Sequence, residues 1–515
     1  MRNLSELWSS AAARFADRTA IAHLDATYTY GDLDAMIHAF AANLRNRCGV
    51  SPGDRVALIM PNCLHSIVCY LGAIRAGAIA LPVNIRLKAE EMRFILEDAG
   101  ATVAVVHGSV WPAVREAVGG LSSLRRLIGI DMQGDGITPI DDLLAGGDCE
   151  PAGAEPDDVA AIIYTSGTTG LPKGAMITHG NVLFNVKSTI RGHGFREADV
   201  HMLVVPLFHV TGLNTIMPTA FHQGATLVVT SRTTPTDILS LIERHRATTF
   251  FAVPTTMILL VQTPGIERFD VSSLRLIAYS GAPMPVRTIQ QLRERFPGVL
   301  LHNFFGLTET TSVTSVLPDD QALLRPESIG RAVPELQVRI AGDAGAALPP
   351  DRVGELLVKG PSIVKGYYNR PEATGEAIVD GWLHTGDTAF IDEEGFIFLQ
   401  GRKKEMVIVA GENVYPVEVE NVLTRHPAVA EVAVIGAPHG VLGEVVKAVV
   451  VLQPGADCTE RDLKRYCVER LASYKVPQTF EFRDALPRNP SGKVVKRELG
   501  SIRLNTADEG DCRSL

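Results

Sequence analysis

The chain has 515 residues, of which 46% are hydrophobic and 21% charged, and it carries a formal charge of −9. That length exceeds one ordinary core, so two or more domains are expected, with the composition of a soluble globular protein. The acidic balance and the lack of a long Lys/Arg run give no electrostatic footing for nucleic acid.

Residues 1–20 carry Glu6, Arg14 and Asp17 within a helical pattern and lack the apolar core of a signal peptide. From 54 to 106, short apolar runs at 56–60, 79–83 and 102–106 alternate with helical patterns at 65–75 and 89–98. This is the rhythm of an α/β unit with a largely parallel sheet. A Gly/Pro/Asp-rich joint at 146–158 leads to a strand at 159–164, and then to Tyr164-Thr165-Ser166-Gly167-Thr168-Thr169-Gly170-Leu171-Pro172-Lys173-Gly174. Its glycines let the backbone approach an anion, and its amides and hydroxyls can donate to phosphate oxygens. The Walker arrangement is excluded, because Gly174 follows the lysine where Ser or Thr is needed for magnesium. Alone, the stretch reads equally as a flexible turn before a helix starting near Asn181.

Strands follow at 201–205, 226–229, 248–251, 274–279 and 299–304, and in such sheets ligands bind beyond the carboxyl ends of the strands. Three motifs stand there: Pro206-Leu207-Phe208-His209-Val210-Thr211-Gly212, Ser280-Gly281-Ala282-Pro283 and Phe305-Gly306-Leu307-Thr308-Glu309-Thr310. A carboxylate such as Glu309 suits magnesium, which takes oxygen ligands and bridges to phosphates. Past 326, short β segments at 337–340, 354–359 and 396–399 point to a small barrel-like subdomain. Trp382-Leu383-His384-Thr385-Gly386-Asp387 lies between β segments, where Gly-Asp reads as a turn. Gly401-Arg402-Lys403-Lys404-Glu405 reads as a solvated basic turn. Beyond it, a helix at 415–425, strands at 429–435 and 445–452 and a helix at 459–471 make a compact α+β unit. Asn489-Pro490-Ser491-Gly492-Lys493-Val494-Val495-Lys496-Arg497-Glu498-Leu499 is a turn feeding a short basic helix, and the polar tail from 505 is expected to be disordered. Seven scattered cysteines (Cys48, Cys63, Cys69, Cys149, Cys458, Cys467, Cys512) without paired metal spacing fit reduced thiols in a cytosol. No run of roughly 18 uncharged apolar residues exists to span a membrane, so a cytoplasmic protein is expected.

In this order the motifs resemble those of the adenylate-forming superfamily, which includes acyl-CoA synthetases, adenylation domains of peptide synthetases and luciferases. The likeness runs from about Tyr28, with Thr29-Tyr30-Gly31-Asp32-Leu33, to Leu499. It implies an α/β fold with a large N-terminal domain (1–400) of two α/β subdomains and a small β-barrel. A hinge at 401–404, a small mobile α+β C-terminal domain (405–504) and the tail (505–515) complete it. It also implies an ATP-dependent acid–CoA ligase: a carboxylate attacks the α-phosphorus of ATP, pyrophosphate leaves, and a thiol then displaces AMP. ATP, Mg²⁺ and coenzyme A are the expected cofactor and co-substrates, and the oligomeric state is left open, a homodimer among the options.

Residue by residue, the resemblance places Thr165, Ser166, Gly167, Thr168, Thr169, Gly170 and Lys173 on the departing phosphates, and Gly281, Ala282, Phe305 and Gly306 around adenine. Thr308 contacts phosphate, Glu309 holds Mg²⁺, Asp387 accepts from both ribose hydroxyls, and Arg402 is a second ribose or phosphate contact. Lys493 stabilises the charge that builds when one anion attacks another. The acyl pocket is lined by His209, Val210, Thr211, Phe251, Ser280, Phe304 and Thr311. His209 there argues against an amino-acid substrate, for which relatives carry an aspartate in this region. The Phe304 ring shortens the tunnel, in favour of a short or medium chain or a small aromatic acid. Lys404 is the hinge position. Gly411, Glu412 and Asn413 border the pantetheine path, and Tyr474 and Lys475 meet the CoA nucleotide, although Val476 and Gln478 replace basic residues of one aryl-CoA branch. The alternatives are a stand-alone adenylation enzyme that loads a carrier-protein phosphopantetheine thiol, a non-catalytic nucleotide-binding module, and a luciferase.

Overall fold

The computed structural model describes residues 1–165, 172–342, 345–409, 412–439, 442–488 and 493–500. They form two compact units. The first comprises Met1–Thr385 and Phe390–Phe398, and the second comprises Gly386–Ala389 and the described residues from Leu399 onward.

In the first unit, one sheet runs in the order Ile137–Pro139, Arg126–Ile130, Val103–His107, Arg55–Ile59, Ile79–Pro82, Val159–Thr165, Lys173–Thr178. All its pairs are parallel except the last. Its strands are near-continuous apolar runs because both faces are covered: Ala57, Ile59, Leu81 and Val106 pack with Met92, Ile95 and Leu96 of helix Ala89–Ala99. A second sheet has a parallel centre of Thr226–Val229, Val200–Leu203, Thr249–Ala252, Leu276–Tyr279 and Leu300–Phe305. From Leu300–Phe305 the pairing turns antiparallel through Ser315–Leu317, Ser328–Ala332 and Ile397–Arg402. Gln337–Ala341 pairs antiparallel with Gly354–Lys359, so the short β segments past 326 extend this sheet.

Alternation along the parallel strands separates two faces. Met202, Phe250, Ile277 and Leu301 enter a core with Ile238, Leu239, Ile289 and Leu292. On the opposite face, Leu203, Phe251, Ala278 and His302 lie in one row by register. Helix His179–His193 is started by a capping box between Thr178 and Asn181 and stopped by Gly194 in the left-handed region, and it brings His193 to this second face.

The second unit has strands in the order Glu412–Val414, Val407–Val409, Gly443–Leu452, Val429–His439, with Thr479–Phe482 parallel to Gly443–Leu452. Helices Pro416–Thr424 and Glu460–Val468 bury Val419, Leu423, Leu463 and Cys467 against one face of this sheet. Ala433, Ile435 and Val449 of the other face take Leu486 and Leu499. No helix of the described residues is long and apolar enough to cross a membrane, and the six described cysteines are free.

Candidate functional site

Thr165 and Lys173 stand opposite each other as the last register pair of two antiparallel strands. This corrects the expectation of a loop running straight into the helix: Lys173 begins the strand Lys173–Thr178, in which Ala175 and Ile177 are fully buried. The alternation is short and built on small side chains, so it does not announce a strand. Ser166, Gly167, Thr168, Thr169 and Gly170 lie outside the described residues.

The outer edge of that strand is covered by residues 364–368. Met176 N–H donates to the Gly366 carbonyl at 2.9 Å, Lys365 N–H to Met176 at 3.0 Å, and Tyr368 N–H to Gly174 at 2.8 Å. Tyr367 is thereby placed with its ring centroid 5.2 Å from Lys173 Nζ, and its hydroxyl donates to Glu309 Oε1 at 2.9 Å. A cation, a phenol and a carboxylate from three distant parts of the chain meet beside the expected phosphate loop. The strand bearing Thr165 is anchored in turn: Tyr164 Oη donates to Asp98 Oδ2 at 2.6 Å, and Arg370 Nη2 to Asp98 Oδ1 at 2.5 Å. Burial and the Asp98 carboxylate push the Tyr164 phenol well above its ordinary value, so it stays a donor.

Glu309 sits in the single 3₁₀ turn Thr308–Thr310 just past strand Leu300–Phe305, its carbonyl accepting from Val364 N–H at 3.0 Å. The chain then folds back sharply, with Thr311 at φ +53° and Ser312 at φ +90°. Gly306 permits this approach, because a Cβ there would stand 1.2 Å from the Ser312 carbonyl oxygen. Among the described residues no cluster of three or more His, Cys, Asp or Glu could cage a metal ion. One carboxylate oriented by a phenol fits Mg²⁺, which keeps waters and takes one or two carboxylates plus substrate phosphates.

Around the expected acyl pocket, the loop bearing His209 leaves strand Val200–Leu203 and is pinned by Asn62. Asn62 Oδ1 accepts from Leu207 N–H at 2.8 Å, while its Nδ2 donates to the Val205 carbonyl at 3.0 Å. The half-buried His209 ring lies 4.9 Å from that of Phe208. Thr211 Oγ1 and Ser312 Oγ are 3.3 Å apart, joining this loop to the turn of the fully buried Thr311, whose hydroxyl donates to the Ser362 carbonyl at 2.8 Å. Val210 is buried beside it in sequence. Phe251 and Phe304 meet with ring centroids 6.0 Å apart. Ser280, half-buried, and Gly281 and Ala282, exposed, follow strand Leu276–Tyr279, and Phe305 ends its own strand half-buried.

In the second unit Arg402 Nε lies 2.7 Å from Asp387 Oδ1, with the Asp387 side chain only 9% exposed. The expected turn at Gly386-Asp387 is instead part of the long strand Trp382–Ile391, and Gly386 meets the local kink by adopting φ +71°. Lys404 is exposed in the 3₁₀ turn Lys403–Glu405. Lys493 is exposed, but its flank is held: Val494 bridges Arg488, Val495 N–H donates to the Pro487 carbonyl at 2.8 Å, and Leu499 is fully buried. Lys496 Nζ reaches Glu420 at 2.8 Å and Glu405 at 3.3 Å. Burial works against its charge, but the two carboxylates outweigh it and raise its proton affinity above the ordinary value. Glu412 and Asn413 are exposed on strand Glu412–Val414, and Gly411 lies outside the described residues. Tyr474 is 36% exposed. Lys475, expected to meet a CoA phosphate, is engaged by both oxygens of Glu418 at 2.6 and 2.8 Å.

Sequence reasoning missed Tyr367, Asn62, Asp98 and Lys496. Only Gly366-Tyr367-Tyr368-Asn369, a turn-like string between β segments, offered a local signal for any of them; the others act through partners far away in the chain.

The AMP-binding enzyme family matches residues 8–368, and the AMP-binding enzyme C-terminal domain matches residues 418–493. A feruloyl-CoA synthase of Amycolatopsis is 37% identical, with 96% of this chain and 97% of that protein covered. A long-chain-fatty-acid–CoA ligase of Escherichia coli is 35% identical, covering 97% and 94%. Among solved structures, o-succinylbenzoate CoA synthetase of Bacillus subtilis in complex with its acyl-adenylate intermediate superposes with a TM-score of 0.86 at 32% identity, covering 98% of this chain and 99% of that one.

Proposed function

Because the chain belongs to the AMP-binding enzyme family, we infer that it is an ATP-dependent acyl-CoA synthetase whose two half-reactions use the residues singled out above. The observation that supports this most directly is the convergence of Lys173, Tyr367 and Glu309 at the mouth of the strand pair that frames the Thr165 to Lys173 segment. In the first half-reaction a carboxylate oxygen bonds to the α-phosphorus of ATP, the bond to the β-phosphate bridge breaks, and pyrophosphate departs. In the second, a CoA sulfur bonds to the acyl carbon and AMP leaves.

Thr165 and Lys173 hold the departing phosphates, and the phenol of Tyr367 fixes which way the Glu309 carboxylate faces. Mg²⁺, when bound through Glu309, neutralises phosphate charge. Thr308 and the backbone around Gly306 border the nucleotide, and Gly281, Ala282 and Phe305 its base. Asp387, oriented by Arg402, accepts from the ribose diol, since a carboxylate offers two oxygens. Lys493 stabilises the negative charge of the reacting centre. His209, Val210, Thr211, Phe251, Ser280, Phe304 and Thr311 line the acyl pocket, which the aromatic rings restrict to a short or medium chain or a small aromatic acid. Lys404 serves as the hinge. Gly411, Glu412, Asn413 and Tyr474 lie along the CoA path, whereas Lys475 must first exchange its Glu418 partner for a phosphate. The free cysteines accord with a cytoplasmic enzyme.

The test is pyrophosphate release over a panel of fatty, aromatic and amino acids, followed by AMP release with and without CoA. Acid-dependent pyrophosphate release with CoA-stimulated AMP release is expected. AMP release stimulated only by a phosphopantetheinyl carrier protein overturns the assignment of CoA as acceptor, and no pyrophosphate release with any acid overturns the adenylation chemistry.

A further inference from the structure

Beneath Phe251 and Phe304 the first unit buries a pair of histidines that none of the roles above uses. His193, 2% exposed, and His302, 7% exposed, face each other with their Nδ1 atoms 3.2 Å apart. The His193 ring lies 5.3 Å from Phe251 and 5.4 Å from Phe304, edge to face with both. Ala278, in register between Phe251 and His302, offers only a methyl, so the sheet surface dips at this point. The Nε2 of His193 is buried and has no hydrogen-bond partner. Leaving such an atom unsatisfied among aromatic rings is costly, and a phenylalanine in its place would avoid the cost. Its position calls for a partner that arrives from outside the fold.

Burial keeps both rings neutral, pushing His193 well below the ordinary imidazole range and His302 down to about 4. A neutral Nδ1 to Nδ1 hydrogen bond requires one ring to donate and the other to accept. With its Nδ1 committed to that bond, the Nε2 of His193 is a bare acceptor in one arrangement and an N–H donor in the other. Which ring plays which part can exchange, and the group that serves either arrangement is a hydroxyl, since it both donates and accepts. The flanking Phe251 and Phe304 faces suit an aromatic ring carrying that hydroxyl.

We propose that the His193–His302 pair forms the far wall of the acyl pocket and recognises a hydroxyl at the end of the acid remote from its carboxylate, making hydroxyaryl carboxylic acids the preferred substrate class. The proposal rests on the assignment of Phe251 and Phe304 to the acyl pocket. A site with a buried ring nitrogen discriminates against an acid of the same shape that lacks the hydroxyl, because that acid leaves the nitrogen unpaired.

The experiment compares matched acids that differ only in the distal hydroxyl: a para-hydroxyaryl acid against its deoxy counterpart, and an ω-hydroxyalkanoic acid against the plain alkanoic acid. Binding is read by calorimetry, and kcat/KM by pyrophosphate release. The wild-type protein is expected to favour the hydroxyaryl acid by about 10–100-fold. In His193→Phe the ratio should fall to within about twofold with the KM for ATP unmoved, and His193→Gln should keep part of it. A wild-type ratio near one, as a trapped water satisfying Nε2 would give, overturns the proposal whether or not the variants fold. An unchanged ratio in a folded His193→Phe does the same. Calorimetry reads the ratio without turnover, so failure of the adenylation chemistry, seen as absent pyrophosphate with every acid, is told apart from failure of this inference.

Discussion

Tyr367→Phe removes one oxygen and leaves the ring that faces Lys173. The lost contact is the 2.9 Å hydrogen bond from the phenol to Glu309 Oε1. A hydrogen bond to a charged group contributes about 1.5–3 kcal/mol when buried. Glu309 is only half-buried, so solvent screens part of this, leaving about 1–2 kcal/mol of orientation free energy for the carboxylate. If that orientation matters mainly when phosphate charge moves, the cost falls on adenylation, where about 1–2 kcal/mol is a 5–30-fold loss in kcat/KM. The assay is pyrophosphate release at saturating acid with ATP and Mg²⁺ varied. It is paired with thiolysis of supplied acyl adenylate, a step that involves no pyrophosphate. Adenylation should slow and require more Mg²⁺, while thiolysis stays within about twofold of wild type. Equal losses in both half-reactions, or none in adenylation, would show that Tyr367 is merely packing and that Glu309 needs no orienting partner.

Gly306→Ala should be among the most damaging small substitutions, because the new Cβ would lie 1.2 Å from the Ser312 carbonyl oxygen in a turn already held at positive φ. A loss of about 3 kcal/mol or more is expected, visible as a melting point lowered by several degrees, and wild-type stability would contradict the tight approach. Lys493→Ala should abolish adenylation yet spare thiolysis of supplied acyl adenylate, and loss of both activities would remove Lys493 from its role. Acid should weaken the first unit before the carboxylates titrate. His179, His201 and His302 are each held at about 4 by burial. Because these rings bind protons more weakly folded than unfolded, their stabilisation is full above about pH 6.5 and is lost as the pH falls toward 4. This is worth on the order of 3 kcal/mol per ring, and a melting temperature that stays flat over this window would refute the neutral assignment.

Much of this architecture was legible from residue pattern. The runs at 56–60, 79–83 and 102–106 are apolar because both faces of their sheet are covered, and the corresponding strands begin and end within a residue or so of those bounds. The helical pattern at 459–471 overruns its helix, whose regular turns span Glu460–Val468 before the chain turns back at Arg470 and Leu471. The misses share a cause. Strand Lys173–Thr178 is specified by its neighbours on both sides more than by its own side chains. The link from Tyr367 to Glu309 joins residues 58 apart, and that from His193 to His302 residues 109 apart. Periodicity reports which face of an element is buried, but it carries nothing about which distant side chain completes a pair. Motif likeness singles out Glu309, Asp387 and Arg402 as candidates, but not the phenol that donates to the first.

The pairing of residues 364–368 with Gly174 and Met176 also sets a clock. A ribosome adds about 5–20 residues each second, so the 194 residues from Lys173 to Tyr367 take about 10–40 s to emerge. Throughout that interval the strand Lys173–Thr178, paired on one side with Val159–Thr165, has an open outer edge. A chain terminated before Tyr367 therefore lacks the phenol that donates to Glu309, even where Glu309 itself has been made. Until residues 364–368 arrive, that edge is open to pairing with another chain instead.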